Sequence, residues 1–466
     1  MSRLRRLSAV AAAMFTLGSA HAGDHPPRVA PPNAFQPPGA SFERDVDRRQ
    51  YLQMAREVLG NTREAFAAAP IRSIEIGSAR LAERLGVRIV GSLPHFSVPP
   101  GHQCPEAGGP CTPARITPLF DSRPAYDALL ALIASARCRI DLMIFGWDDD
   151  PDGRAVAAAL IQSARSGVLV RLMIDRGGFV IGENNEHVIV DGQPSFLDAL
   201  HAEPNIRLIE TPDPGLRFDH RKLAVFDDRI AWSGSLILTQ PSVERWHNFN
   251  YIAEGPIVGQ LDALFVERWE RLGGCHAPLC TPPEVADAVD PNAIVRVVRT
   301  DVDPVIRTLK EAVYGSVDQA HHHIYLENPY FNDRILIKKL IAARARGVDV
   351  RAILTMRGDS ATMNKYTALT ANALLRGGCR VYLYPAMTHV KAMAVDGTMI
   401  YMGTGNFDDL SLRNNRELSL TVRGPEIVPQ IESGLFLRDM AASEELHALV
   451  PLPKGWLLLR PGWEFF

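Results

Sequence analysis

From residue 115 onward the apolar positions switch between two periods, and the switching occurs twice. Residues 139–145 (Arg-Ile-Asp-Leu-Met-Ile-Phe) read as a strand, residues 153–166 carry apolar positions spaced by three and four as an amphipathic helix does, and residues 167–173 read as the next strand. The same order returns downstream, with a strand over 323–326, a helix over 333–346 and a strand over 347–353. Strands alternating with helices predict βαβ units and a largely parallel sheet in each half. The repetition predicts an α/β fold of two similar half-domains.

The flanking segments lack this pattern. Arg3, Arg5 and Arg6 precede an apolar stretch over 9–17 and a small-residue site at Ala20-His21-Ala22, which reads residues 1–22 as an export signal and the protein as exported, periplasmic in a bacterium. An uncleaved anchor is the alternative, although the apolar core is shorter than the ~20 residues a spanning helix needs. Residues 23–41 are a proline-rich linker and 42–112 a mainly helical segment ending in a Pro/Gly/Cys loop. The half-domains are expected over 113–285 and 286–450. A tail over 451–466 concentrates Trp456, Trp463, Phe465 and Phe466, which dock on the protein's own core or touch a membrane surface.

Charge and cysteines narrow the picture. The 466-residue chain has a formal net charge of −3, and loss of the signal removes three arginines and no acids. A mildly acidic protein is poorly suited to nucleic acid, whose non-specific binding requires many neutralised phosphates. Cys104 with Cys111 and Cys275 with Cys280 are close pairs in loops and predict two local disulfides, while Cys138 and Cys379 border apolar runs and read as buried free thiols. No cysteine spacing suggests zinc. His321-His322-His323 opens a strand, where alternating faces disfavour a shared ligand site.

The chemistry lies in a repeated trio. His220-x-Lys222-x4-Asp227 recurs as His389-x-Lys391-x4-Asp396, each with a glycine seven residues after the Asp, Gly234 and Gly403. A His and the Lys two residues later project from one face of a strand, so both reach one phosphate. The lysines suit neutralisation of phosphate oxygens. Two histidines suit the remaining tasks, one attacking phosphorus and the other protonating the leaving group, with no metal and no cofactor required. Asp227 and Asp396 complete the candidate catalytic set, yet their place at Asp227-Asp228 and Asp396-Gly397 turns reads as structural support. Twenty-eight residues after each His stand Asn248 and Glu417, candidates to orient the imidazoles.

The paired motifs resemble the signatures of the phospholipase D superfamily, and their surroundings are similar to those of bacterial cardiolipin synthases over about residues 115–446. Gly403-Thr404-Gly405-Asn406, Ser411-Leu412-Arg413, Asn415 and Glu417 carry the likeness in the second half, and His220-Arg221-Lys222, Trp246 and Glu254-Gly255-Pro256 in the first. The resemblance implies half-domains related by a pseudo-two-fold axis around one site. It also implies a phospholipid substrate at a membrane surface and transfer of a phosphatidyl group through a phosphohistidine. Lys222, Lys391, Asn406, Ser235 and Thr404 are the expected phosphate-binding residues, and Glu327 and Tyr330 candidates to line the pocket.

The halves also differ. Ile237 stands seventeen residues after His220 where Asn406 stands seventeen after His389, and Asn248 stands where Glu417 stands in the second half. A carboxylate favours a protonated imidazole and an amide does not. Pairing by sequence then makes His389 with Glu417 the proton donor and His220 with Asn248 the nucleophile. Cardiolipin synthesis, hydrolysis and headgroup exchange share every one of these residues. An exported nuclease and an inactive binding protein are the rival readings.

Overall fold

The computed structural model describes residues 111–175, 177, 195–211, 217–280, 289–355 and 357–452, which belong to one compact unit. The export signal, the linker, the helical segment over 42–110 and the aromatic residues of the tail lie outside the described residues.

The first half contains β1 (Thr112–Phe120), α1 (Ser122–Ser135), β2 (Arg139–Phe145), α2 (Pro151–Arg165), β3 (Leu169–Asp175), α3 (Phe196–Ala202), β4 (Ile206–Thr211), β5 (Leu223–Phe226), β6 (Ile230–Gly234), α4 (Gln240–Glu244), β7 (Phe249–Glu254) and α5 (Ile257–Arg271). The second contains β8 (Ala293–Val302), β9 (Val305–Ile306), α6 (Thr308–Gln319), β10 (His323–Glu327), α7 (Arg334–Ala345), β11 (Asp349–Leu354), α8 (Ala361–Arg376), β12 (Arg380–Leu383), β13 (Ala392–Val395), β14 (Met399–Gly403) and β15 (Glu417–Arg423). It ends with α9 (Ile427–Ile431), α10 (Arg438–Ala442) and β16 (Glu444–Glu445). Local chemistry sets the repeated helices. Asp150 accepts from Gly153 N at 2.8 Å ahead of Pro151, and Asp333 accepts from Leu336 N at 2.7 Å, so α2 and α7 both start at an aspartate cap. Each then buries a stripe, Val156, Leu160 and Ala164 in one and Leu336, Leu340 and Ala343 in the other.

The strands form one sheet in the order β16-β12-β11-β10-β13-β14-β15-β8-β1-β7-β6-β5-β2-β3-β4, with β9 on β8. Read outward from the centre, β8-β15-β14-β13-β10-β11-β12 repeats β1-β7-β6-β5-β2-β3-β4. The equivalent strands β1 and β8 pair antiparallel at the seam, with Pro113 opposite Ile294, the relation that a two-fold axis produces. The sheet corrects one expectation. Only β2-β3-β4 and β10-β11-β12 run parallel; the hairpins β5–β6 and β13–β14, and the strands that follow them, make the remaining ladders antiparallel. The βαβ pattern reported the helix-connected strands and could not report the strands joined by tight turns.

Those turns explain the Asp and Gly of the motif. Asp227, with φ of 52°, accepts from Arg137, Cys138 and Arg139 N at 2.8, 2.8 and 2.9 Å. Asp396, with φ of 55°, accepts from His321, His322 and His323 N at 2.9, 2.7 and 2.9 Å. Each aspartate therefore fastens a hairpin turn to the first residues of β2 or β10. At Gly234 and Gly403 φ is positive, and a Cβ would stand 2.5 Å from Asn250 Cα and from Leu418 O, so only glycine fits.

The cysteines are corrected as well. Cys138 is bonded to Cys280 across 142 residues, and Cys275 is free and exposed. The segment after α5 runs back to the start of β2, where Arg139 donates to Pro278 O at 2.6 Å and Cys280 N to Asp228 at 2.6 Å. That return brings Cys280 to Cys138 rather than to its sequence neighbour. Cys379 is buried and free, and Cys111 is disulfide-bonded; its expected partner Cys104 lies outside the described residues. Non-reducing peptide mapping is expected to return a crosslinked peptide pair containing Cys138 and Cys280 with Cys275 open to alkylation. A Cys275–Cys280 peptide would contradict the fold at this point.

Candidate active site

The two motifs meet through short main-chain bridges that cross between the halves. His220 N donates to Arg416 O at 2.9 Å and Arg416 N to Phe218 O at 2.8 Å, while His389 N donates to His247 O at 2.7 Å and His247 N to Met387 O at 2.8 Å. The segment ahead of β5 thus lies beside the start of β15, and the segment ahead of β13 beside the start of β7. All four motif side chains that face this junction, His220, Lys222, His389 and Lys391, are buried.

The crossing exchanges the partners of the histidines. His220 Nδ1 lies 3.0 Å from both carboxylate oxygens of Glu417, and His389 Nδ1 lies 3.1 Å from Asn248 Oδ1. Pairing by sequence gave His389 to Glu417 and His220 to Asn248, and the structure overturns it. The reason is geometric: the residue 28 positions after a motif histidine begins a strand that abuts the other half's motif.

Each partner is itself held. Thr404 Oγ1 and Ser411 Oγ donate to Glu417 at 2.6 Å each, leaving its oxygens fixed against His220. Ser235 Oγ donates to Asn248 Oδ1 at 2.8 Å, and Asn248 Nδ2 donates to Ser122 Oγ at 3.0 Å and Ser242 O at 3.1 Å, which turns the amide oxygen toward His389. Ser235 and Thr404 also accept from Phe249 N and Leu418 N at 2.9 and 3.0 Å. Expected on a substrate phosphate, these hydroxyls are instead committed to the partners of the histidines. Ser242 and Ser411 were not foreseen in this role, although each stands six residues before Asn248 or Glu417, a second spacing the duplication preserves.

Asp227 and Asp396 do not join the site, since they sit at the far ends of β5 and β13 from the histidines. Asn406 is buried near Phe407, and no donor reaches its Oδ1 among the described residues. Ile237 packs its side chain toward Gly146 instead. Aromatic rings close on both imidazoles: Phe145 meets His220 edge-on with centroids 4.7 Å apart, and Trp246 lies 5.1 Å from His389. Tyr330 donates to Asp359, whose carboxylate is near enough to Lys391 to feel its charge. Glu327 is buried beside His247 rather than beside the motif lysines. His321 and His322 are exposed, and His323 is paired with Glu432.

The electrostatics are those of a site short of negative charge. Burial, followed by the pull of Lys222 and Lys391 against Glu417, pushes His220 down to about 4, so its ring is neutral at neutral pH. His389 is held well below its usual value by burial and by Lys391, Lys222 and His220, which outweigh a hydrogen bond to the Ser235 backbone. Burial brings Lys222 down to about 7 and Lys391 well below its ordinary range. Each Lys Nζ meanwhile donates to the carbonyl of its own motif histidine at 2.7 Å. An anion placed between the two lysines would favour both ammonium groups.

A family model described as "Cardiolipin synthase, PLD-like domain" matches residues 129–269 and 314–437, more than half of the chain. The chain belongs to this family. A cardiolipin synthase of Listeria innocua is 25% identical over 355 residues, covering 70% of this chain and 69% of its own. Cardiolipin synthase A of Pectobacterium carotovorum is 26% identical over 310 residues, 63% of each chain. The crystal structure of phosphatidylserine synthase from Haemophilus influenzae shares the fold with a TM-score of 0.56 at 14% identity, over 73% of this chain and 89% of that one.

The exchanged pairing has a direct spectroscopic consequence. Asn248→Asp places a carboxylate on His389, and an opposite charge favours the imidazolium, so the His389 pKa should rise while that of His220 stays near 4. Imidazole ¹⁵N NMR titration of the variant checks this, and a rise at His220 instead would contradict the crossed geometry.

Proposed function

We propose that the protein is a phosphatidyltransferase of the cardiolipin synthase kind, in which His220 is the nucleophile and His389 the proton donor and then acceptor. The observation that carries this reading is the unequal support of the two rings: a carboxylate on His220, an amide on His389. Engaging Nδ1 of each ring assigns the chemistry to Nε2.

Positive charge develops on the attacking imidazole as its Nε2 bonds to phosphorus, and a fixed carboxylate on the opposite nitrogen stabilises that charge. Pairing by sequence placed the carboxylate on His389; with the carboxylate on His220 instead, His220 keeps the role of nucleophile on this different ground. A general acid loses charge as it works, and an amide acceptor holds that charge less tightly, so His389 releases its proton more readily. In the first step the phosphodiester anion, which offsets the neighbouring lysines, lets His389 take up a proton on Nε2; Nε2 of His220 then forms a bond to phosphorus, the bond from phosphorus to the headgroup oxygen breaks, and that oxygen takes the proton of His389. In the second an alcohol gives its proton to His389 and attacks phosphorus, releasing His220. Lys222 and Lys391 neutralise the phosphate oxygens throughout.

The relatives' name, cardiolipin synthase, supports cardiolipin as the product, and the proposed transfer then runs from one phosphatidylglycerol to the glycerol headgroup of another. The mildly acidic balance weighs against a nuclease. The export signal read from residues 1–22 supports work at the outer face of a cytoplasmic membrane, and no described helix is long and apolar enough to cross a bilayer. Incubation of the protein with labelled phosphatidylglycerol is expected to yield cardiolipin, with turnover reduced by about 10²–10⁴-fold in His389→Ala. Phosphatidic acid as the sole product would identify a hydrolase and overturn the transferase reading.

A further inference from the structure

Next to Asn248 stands a buried group of side chains that the proposed reaction does not use. His247 Nε2 lies 2.9 Å from Asp439 Oδ2 on α10 and 3.9 Å from Glu327 Oε1 at the end of β10. One atom from each of the three falls within 4.8 Å of the others. Glu327 Oε1 accepts from Thr388 Oγ1, whereas Oε2 is wholly buried with no donor among the described residues. Asp439 Oδ1 is occupied by Arg438 Nε at 2.9 Å, which leaves Oδ2 facing His247. The other imidazole nitrogen, Nδ1, is paired with Asp121, and Asp121 also accepts from Arg438 at 3.0 Å.

Counting charge shows what is missing. With every carboxylate ionised and His247 neutral, Asp121, Glu327 and Asp439 would carry three negative charges against the one positive charge of Arg438, whose Nη2 also lies 3.5 Å from His247 Nε2, so two further positive charges are needed to balance the group. We propose that His247, Glu327 and Asp439 bind one divalent first-row cation, with zinc the best match. One imidazole nitrogen with two carboxylates is a donor set for such an ion, whereas calcium and magnesium favour all-oxygen sites. Donor separations of 2.9 and 3.9 Å are short enough for ligands ~2.0–2.2 Å from a shared centre. Asp121 on Nδ1 is the outer carboxylate that commonly fixes the orientation of a ligating imidazole.

The ion would act as a clamp and not as a reagent. His247 accepts the backbone N–H of His389, and Glu327 holds Thr388, so a cation here ties β7, β10 and α10 around the segment that presents His389. Two protons, one on His247 and one on Glu327, would balance the same charge, and the experiment must separate the two occupants.

Untagged full-length protein prepared without chelator is expected to carry about one zinc per chain by plasma mass spectrometry. After stripping with chelator, zinc chloride should raise the unfolding temperature by a few degrees, and magnesium or calcium at equal concentration should not. Glu327→Gln keeps the shape but lacks the charge, and it should fold yet lose both the bound zinc and the zinc-dependent rise. Asp439→Asn serves as the second variant if that protein does not fold. Wild-type protein with no bound zinc and no zinc-dependent rise would show that protons occupy the group and overturn the proposal. Wild-type zinc content in both variants would assign the metal elsewhere and overturn it equally. None of these readouts depends on transferase activity.

Discussion

Two crossed main-chain bridges, His220 with Arg416 and His389 with His247, set the chemistry of this molecule. Neither half holds a complete histidine pair alone. Because β7 and β15 each start against the opposite motif, Glu417 of the second half supports His220 of the first, and Asn248 of the first supports His389 of the second. The continuous sheet is what makes the bridges possible. Antiparallel pairing of β1 with β8 fixes the two halves in one register, and the aspartate-fastened turns after β5 and β13 hold the strands that carry the lysines.

Around that junction the protein buries four nitrogenous side chains, with Glu417 in direct contact with His220 and Asp175, Asp219, Asp359 and Asp408 acting on the lysines from farther away. Charged lysines in such a place are costly, and Lys222 and Lys391 respond by losing affinity for their protons. The cost is offset when an anion enters, since a phosphodiester restores the balance and draws protons back to the lysines. Recognition of phosphate and readiness for chemistry are thus the same electrostatic fact. In the proposed reaction the asymmetry of Asn248 and Glu417 adds direction, giving the ring that gains charge a carboxylate and the ring that loses charge an amide.

Much of this was legible in the sequence, and the failures share one cause. The periodicity placed β2, α2 and α7 within two residues, and the repeated trio located both motifs, because those signals are local. The meeting of the two motifs at one junction was read correctly, but several finer contacts between distant segments were misread. The partners of the histidines, the disulfide between Cys138 and Cys280 and the antiparallel ladders all join segments that are distant in sequence or reversed in direction. Ser235 and Thr404 were assigned to phosphate because they flank the motif glycines; only the hydrogen bonds to Asn248 and Glu417 show that their hydroxyls are already used.

Which imidazole bonds to phosphorus decides the proposed mechanism, and a crystal structure of the protein soaked with orthovanadate reads that bond directly. Five-coordinate vanadium on Nε2 of His220, with His389 facing the opposite apical oxygen and both lysines on the equatorial oxygens, is the result expected. Vanadium bonded to His389, with His220 and Glu417 on the leaving-group side, would contradict the assignment of attack to the carboxylate-supported ring.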